Sequence, residues 1–388
     1  MFALLLGLGC TRSECSRPEY DRPECRVQAE NELARGLSAE GVDVRFQAVG
    51  AADAQSWDAL GRVENLSTGE LYARVGTLGD FRISLETDQM VELLLVLDNV
   101  DPRIPELDGQ VSQTGLRREL ELVLMPGVTW VEGTLPETLC SGAFRLAAVG
   151  DIQTNPLQFR RIVEELHAEY DRSEAAGAPL LGVVLLGDIS EHSLAEELQE
   201  VLDMLVSSPV PAAVLPGNHD VYNSRDAVFN RVVGPGNLSF DLCDAHLVLL
   251  DTGSGRLAPS VEGRLPELIE SDQRFLVAGV HHPPIPGWTG AGWGDEVGAS
   301  SLLAELASAR ADLLMAGHVH QRLEFDDGPI PEVIVGTAGA DQVEVEPDYG
   351  FLRLDFQEAL DWCFVPVPAA GGAGVSRPPP PDCSDTPR

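Results

Sequence analysis

Through the second half of the chain, apolar runs of strand length alternate with amphipathic stretches of helical period. The runs fall at residues 144–149, 183–186, 212–215, 246–250, 275–280 and 312–315, and the stretches between them at 156–170, 193–206, 260–271 and 300–310. Strand followed by helix, repeated, predicts a layered α/β sheet. Residues 41–136 keep a different rhythm. Short alternating runs at 42–49, 61–65, 70–75, 81–85, 91–97 and 120–124 are broken by Ser-Thr-Gly, Leu-Gly-Asp and Asp-Asn turns, which predicts a small antiparallel β-sandwich.

Five short motifs sit where apolar runs break off: Val149-Gly150-Asp151, Leu186-Gly187-Asp188, Pro216-Gly217-Asn218-His219-Asp220, Val280-His281-His282-Pro283-Pro284 and Gly317-His318-Val319-His320. In open α/β sheets ligands gather at the carboxyl ends of strands, so Asp151, Asp188, Asn218, His219, His281, His318 and His320 are expected around one cleft. The chain has only eight histidines, and these motifs hold five of them, including the four site candidates His219, His281, His318 and His320. Taken singly, each motif has an ordinary explanation as a turn, an N-cap or a satisfied imidazole. Their joint placement at successive strand ends is what points to chemistry. Two carboxylates, an amide and several imidazoles from separate strand ends can encircle two cations, and a cation pair suits hydrolysis of a phosphate ester.

On these motifs, residues 144–356 resemble the calcineurin-like metallophosphoesterase family, which includes purple acid phosphatases, cyclic-nucleotide phosphodiesterases and protein serine/threonine phosphatases. The family's blocks run Asp-x-His, Gly-Asp, Gly-Asn-His-Asp/Glu, His and Gly-His-x-His, and four of the five are intact here. The resemblance implies a four-layer α/β/β/α sandwich, two mixed sheets face to face with helices outside. It implies a hydrolase acting on phosphate mono- or diesters with two divalent ions, manganese, iron or zinc. Asp151 would bind the first ion and Asp188 would bridge both. Asn218, His281 and His318 would complete the second position, and His320 would return to the first. His219 would be a catalytic, non-ligand histidine beside the substrate, oriented by Asp220 and able to steady a phosphate oxygen or protonate the leaving alkoxide.

One block departs from the family pattern, since Asp151-Ile152-Gln153 stands where Asp-x-His is usual. The Gln153 amide oxygen is either a weak ligand, favouring a hard ion such as manganese, or a hydrogen-bond partner of bound water. Glu191 occupies the place where a purple acid phosphatase carries tyrosine, which disfavours iron–tyrosinate chemistry. Glu191 or His192 either offsets the weakened first position or marks a solvated helix N-terminus. In the loop 283–297, Trp288 and Trp293 either wall the cleft beside His281 or pack on the domain edge. Residues 63–85 are similar to carboxypeptidase-regulatory-like sandwich modules, in which a Thr-Gly turn precedes a Gly-x-Phe strand; such modules are spacers or binding domains.

Composition narrows the partners. A net charge of −36 leaves no basic stripe for a phosphate backbone, so a nucleic acid duplex is not expected as a partner, whereas a phosphorylated small molecule or protein substrate is. All 26 basic residues are arginine, which excludes lysine Schiff-base chemistry and the Walker lysine. The apolar run 2–8 followed by Gly9-Cys10 resembles the end of a bacterial lipoprotein signal peptide. Membrane attachment is therefore expected only through a lipid on Cys10, and the location is expected to be extracytoplasmic, in the bacterial cell envelope or secreted. Six further cysteines without metal-type spacing suit disulfides, and proximity suggests Cys15–Cys25 and Cys363–Cys383. The expected division is an anchor at 1–10, a linker at 11–40, a β-sandwich domain at 41–139, a phosphoesterase domain at 140–360 and a Pro-rich tail at 361–388. The alternative from another class is a non-catalytic surface binding or scaffold lipoprotein in which the phosphoesterase fold has decayed.

Overall fold

The computed structural model describes residues 37–39, 42–47, 60–153, 155–222, 226–285, 292–326, 328–342, 348–370 and 383. Cys10, the expected Cys15–Cys25 pair and Trp288 lie outside the described residues. The N-terminal part is built from β1 (Leu37–Ala39), β2 (Val42–Gln47), β3 (Gly61–Ser67), β4 (Glu70–Val75), β5 (Phe81–Thr87), β6 (Val91–Asp98), β7 (Gln110–Thr114), β8 (Arg117–Leu124) and β9 (Gly127–Gly133). They form two sheets, ordered β1-β2-β5-β9 and β3-β4-β6-β8-β7. Alternate residues turn inward, so Phe81, Ile83 and Leu85 of β5 share a core with Leu93, Leu95 and Leu97 of β6. One pair departs from the antiparallel expectation: β4 runs parallel to β6. The strand between them in sequence, β5, belongs to the other sheet, so the chain returns to the first sheet by a crossover rather than a hairpin.

The rest of the chain runs α1 (Glu137–Cys140), β10 (Phe144–Val149), α2 (Pro156–Ala176), β11 (Leu180–Leu186), α3 (Ala195–Leu205), β12 (Ala212–Leu215), α4 (Asp226–Val232), β13 (Leu238–Leu242) and β14 (Ala245–Leu249). It continues with α5 (Pro259–Glu262), α6 (Leu265–Ile269), β15 (Phe275–Gly279), α7 (Glu296–Ser308), β16 (Leu313–Ala316), β17 (Arg322–Phe325), β18 (Glu332–Val335), β19 (Gly350–Phe356) and β20 (Leu360–Pro366). Two mixed sheets result, β12-β11-β10-β19-β20 and β13-β14-β15-β16-β18-β17.

Helix α2 begins where Asn155 accepts a hydrogen bond from the Gln158 amide at 3.2 Å with Pro156 in the first turn, and it ends at the left-handed Gly177. Its buried face, Phe159, Ile162, Val163 and Leu166, packs with Ala147, Val149, Val183 and Leu185. The alternate residues of the same strands, Leu146, Ala148, Val184 and Leu186, face the other way and share a core with Leu247, Leu249 and Val277 of the second sheet. The first sheet is thus buried on both faces, which explains why its strands read as unbroken apolar runs.

The stretch expected as one helix over 260–271 is two short ones, α5 and α6, because Gly263-Arg264 and Pro266 interrupt the backbone ladder. The expected tail begins later than 361, since residues 360–366 form the edge strand β20, in which Phe364 and Val365 are buried. Cys363 pairs with Cys383, as proximity suggests, and Cys140 pairs with Cys243 across 103 residues, tying α1 to the β13–β14 hairpin. Among the described residues no helix is long and apolar enough to cross a membrane.

The two parts are stitched at the outer edge of β12. Buried Asn99 donates from Nδ2 to the carbonyls of Val75 at 2.7 Å and Ala212 at 2.9 Å, and its Oδ1 accepts from the Ala212 amide at 2.8 Å. Arg74 adds a bond to the same Ala212 carbonyl at 3.1 Å. Because removing Asn99 strands several buried backbone groups, Asn99→Ala should cost about 3 kcal/mol of stability in urea unfolding. An unchanged unfolding midpoint would show that this edge is satisfied without the amide.

Candidate metal centre

Each polar motif leaves the carboxyl end of a strand. Asp151 follows β10, Asp188 follows β11, Asn218 follows β12, His281 and His282 follow β15, and His318 and His320 follow β16. Backbone hydrogen bonds knit these loops together: Asp151 N to Gly187 O at 3.0 Å, Gln153 N to Asp188 O at 3.0 Å and Gly317 N to His281 O at 3.0 Å. Asp151, Asp188, His318 and His320 adopt φ of 64°, 51°, 71° and 54°, a left-handed conformation that is costly for residues with a Cβ. Close approach is bought with glycine at Gly217, where a Cβ would stand 2.2 Å from Asp188 Oδ1.

Among the described residues two groups of ligating atoms form. In the first, atoms of Asp151, Asp188 and His320 lie within 4.8 Å of one another. His320 Nε2 is 3.5 Å from Asp151 Oδ1, and the buried Gln153 places its Nε2 3.3 Å from His320 Nε2. The amide of His318 donates to both oxygens of Asp151 at 3.0 and 2.9 Å, which fixes that carboxylate. The second group is His281, His282 and His318, again within 4.8 Å.

The polarity at His281 tests whether a cation fits. Its Nδ1 is 2.8 Å from the Leu186 carbonyl, so the ring hydrogen is engaged there and Nε2 presents a lone pair. Facing that lone pair are Asn218 Oδ1 at 3.0 Å and Asp188 Oδ2 at 3.3 Å, and Asp188 Oδ2 is buried without a hydrogen bond. Asn218 is held this way round because its Nδ2 donates to the Tyr222 hydroxyl at 3.1 Å. Three electron-rich atoms converging in a buried place require a proton or a cation among them. His320 is prepared similarly, with Nδ1 3.1 Å from the Asp341 carbonyl. The donor set fits divalent ions.

The same convergence shifts the titrations. Burial pushes the Asp151 carboxyl up to about 8, with His281 opposing and Asp188 reinforcing the shift. For Asp188 burial acts upward too, but His281 and His219 outweigh it and hold the carboxyl well below the usual range. Burial disfavours charge on His281, yet the Asp188 carboxylate lifts it to about 9. His282 is pushed well below the ordinary histidine range by burial and then by its neighbours His318 and His281. Two carboxylates this close resist ionising together unless positive charge lies between them.

His219 sits at the rim, with Nδ1 2.9 Å from the Glu191 carbonyl and 3.8 Å from its carboxylate, and Nε2 3.1 Å from the Tyr222 hydroxyl. Burial lowers its affinity for a proton, and Asp188 and Glu191 more than restore it. The expectation that Asp220 orients this ring needs correction. The Asp220 carboxylate is fully buried and accepts from the amides of Ile189, Ser190 and Gly217 and from the Ser190 hydroxyl, so it braces the loops behind the site. His192 lies aside, with Nδ1 3.1 Å from Glu197 at the start of α3. Trp293 is buried and donates to the His282 carbonyl at 2.7 Å, so it packs rather than walls the cleft.

The structure therefore gathers Asp151, Gln153, Asp188, Asn218, His219, His281, His318 and His320, with Asp220 behind them. It adds His282, Tyr222, the Glu191 carbonyl and Thr252, whose hydroxyl accepts from the amides of both His281 and His282 at 2.9 Å. Thr252 follows an apolar run as the other site residues do, so the same signal could have found it. Gly217→Ala should abolish retention of divalent ions, measured by elemental analysis after gel filtration, while leaving the far-ultraviolet circular dichroism intact. Retention equal to that of the unmodified chain would show that the Asp188 carboxylate is not held at this point.

Residues 144–322 match the model of the calcineurin-like phosphoesterase family. The chain is 25% identical over 109 residues to a probable cyclic nucleotide phosphodiesterase of Fibrobacter succinogenes, a match covering 26% of this chain and 41% of that protein. It is also similar to a purple acid phosphatase from yellow lupin (13% identity, 79% of this chain and 72% of that one, TM-score 0.49) and to a dimetal phosphatase from Danio rerio (14% identity, 57% and 95%, TM-score 0.45). Residues 144–322, the segment that brings Asp151, Asp188, Asn218, His281, His318 and His320 together, form a domain of the calcineurin-like phosphoesterase family.

Proposed function

We propose that the chain hydrolyses phosphate esters at a dinuclear metal centre. The observation that carries this reading is the meeting of His281 Nε2, Asn218 Oδ1 and Asp188 Oδ2, which only positive charge reconciles. Asp151, Gln153 and His320 hold the first ion, Asn218, His281 and His318 hold the second, and the Asp188 carboxylate lies between the two groups. Bound divalent ions supply Lewis-acid polarisation of the phosphoryl oxygens and counter-charge for the transition state. The protein's own proton transfer belongs to His219. With Nδ1 anchored on the Glu191 carbonyl, Nε2 is the atom that delivers a proton to the leaving alkoxide as its bond to phosphorus breaks. Tyr222 keeps that nitrogen facing the rim and at the same time fixes the Asn218 amide.

The substrate class is a phosphorylated small molecule. A charge of −36 argues against a nucleic acid duplex. The name of the Fibrobacter relative makes cyclic nucleotides and other diesters the first compounds to try, with monoesters and phosphorylated proteins beside them. The Cys140–Cys243 and Cys363–Cys383 disulfides and the Gly9-Cys10 pattern favour an extracytoplasmic site of action, tethered through a lipid on Cys10.

The test is hydrolysis of aryl phosphate mono- and diesters by the full chain after removal of metal and reloading with manganese, zinc or iron. Asp188→Asn should lose both bound metal and turnover. His219→Ala should keep its metal while kcat falls about 10²-fold or more. A folded chain that turns over no ester with any ion would contradict the proposal and leave a binding role.

A further inference from the structure

The assignment of the second ion to His281, His318 and Asn218 leaves one imidazole of that group unused. His282 is buried, and its Nδ1 lies 2.7 Å from the Thr252 carbonyl, the same arrangement that His281 makes with Leu186 at 2.8 Å. A ring whose Nδ1 hydrogen is engaged by a carbonyl has its tautomer fixed and Nε2 available as a ligand. The Thr252 hydroxyl accepts from the backbone amides of both residues, so one side chain sets the positions of the pair. The His281 and His282 rings stand nearly perpendicular at 5.0 Å between centroids, and the His318 ring lies 5.1 Å from the first and 3.9 Å from the second. One ring nitrogen from each of the three falls within 4.8 Å of the others.

We propose that His282 is a third imidazole ligand of the second position, and that the two positions therefore select different ions. This rests on the dinuclear reading above. The second position would be rich in nitrogen, with His281, His282 and His318 around it, which suits a borderline ion such as zinc. The first would be rich in oxygen, with Asp151, Asp188 and the Gln153 amide beside a single imidazole, which suits manganese. The glutamine and the extra histidine act in the same direction: one position gives up an imidazole and the other gains one.

The experiment compares the full chain with His282→Asn and His282→Gln, each stripped of metal and then titrated with zinc in competition with a chromophoric chelator, and separately with manganese followed by electron paramagnetic resonance. Cobalt absorption in the visible range reports the ligands directly. Asparagine places an amide nitrogen where Nδ1 stands, so it retains the Thr252 bond and removes the outer nitrogen. Glutamine reaches further and puts an amide oxygen near the ligand position. The expected result is one tight zinc site per chain whose affinity falls about tenfold or more in His282→Asn. The drop should be smaller in His282→Gln, the cobalt spectrum should change in both variants, and manganese binding should stay within about twofold.

Two bound ions in the unmodified chain, with zinc affinity and cobalt spectrum unchanged in a folded His282→Asn, would overturn this assignment alone. Equal weakening in both variants together with lowered melting temperatures would also overturn it, since that is the behaviour of a packing residue beneath His318. A chain that binds no ion at all would overturn both this assignment and the dinuclear reading.

Discussion

Buried lone pairs pointed at one another cannot persist without positive charge between them. In this chain two carboxylates, a carboxamide oxygen and imidazole nitrogens converge from five loops, and Asp151, Asp188, Asn218, His281 and His320 are each locked by a further hydrogen bond so that they cannot turn away. The amide of His318 fixes Asp151, the amide of His219 fixes Asp188 Oδ1 at 2.8 Å, and the Leu186 and Asp341 carbonyls fix His281 and His320. The lowered Asp188, the raised Asp151 and the raised His281 are three consequences of the same crowding. A cation lowers the energy of such an arrangement, and rigid scaffolding keeps it ready for one.

The scaffold explains how so unfavourable a cluster is held. The first sheet is covered on one face by α2 and α3 and on the other by the second sheet, so its strands cannot slide without exposing apolar surface. Its strand ends are therefore fixed points, and the strained φ values of Asp151, Asp188, His318 and His320 are sustained by loop-to-loop hydrogen bonds. The β-rich N-terminal part contributes through Asn99 and Arg74, which satisfy the outer edge of β12 just before the chain enters Gly217-Asn218-His219. Stability of that junction and geometry of the site are therefore linked through one short strand.

Much of this was legible in the chain itself, because buried parallel strands and their terminal polar residues leave a local signature. The runs before Asp151, Asp188, Asn218, His281 and His318 all end within a residue or two of observed strands. What escaped was non-local. β20 carries no chemistry at its end and runs toward a Pro-rich segment, so its residues were assigned to the tail, although it pairs along its length with β19, which in turn pairs with β10. The parallel pairing of β4 with β6 depends on β5 leaving for another sheet, which no local pattern encodes. At the site, Asp220 lies next to His219 in sequence, but the turn sends its carboxylate inward to four donors, and the orienting acceptor comes instead from the Glu191 carbonyl. Backbone carbonyls leave no mark in a side-chain motif, so the partners of His219, His281, His282 and His320 emerge only in the folded chain.

Anomalous diffraction from crystals of the full chain grown with manganese would test the central claim most directly. The account predicts two peaks about 3.5–4 Å apart, one within coordinating reach of Asp151, Asp188 and His320, the other of Asp188, Asn218, His281 and His318. A cleft without anomalous density at saturating metal, its carboxylates and imidazoles keeping the same hydrogen bonds, would contradict it.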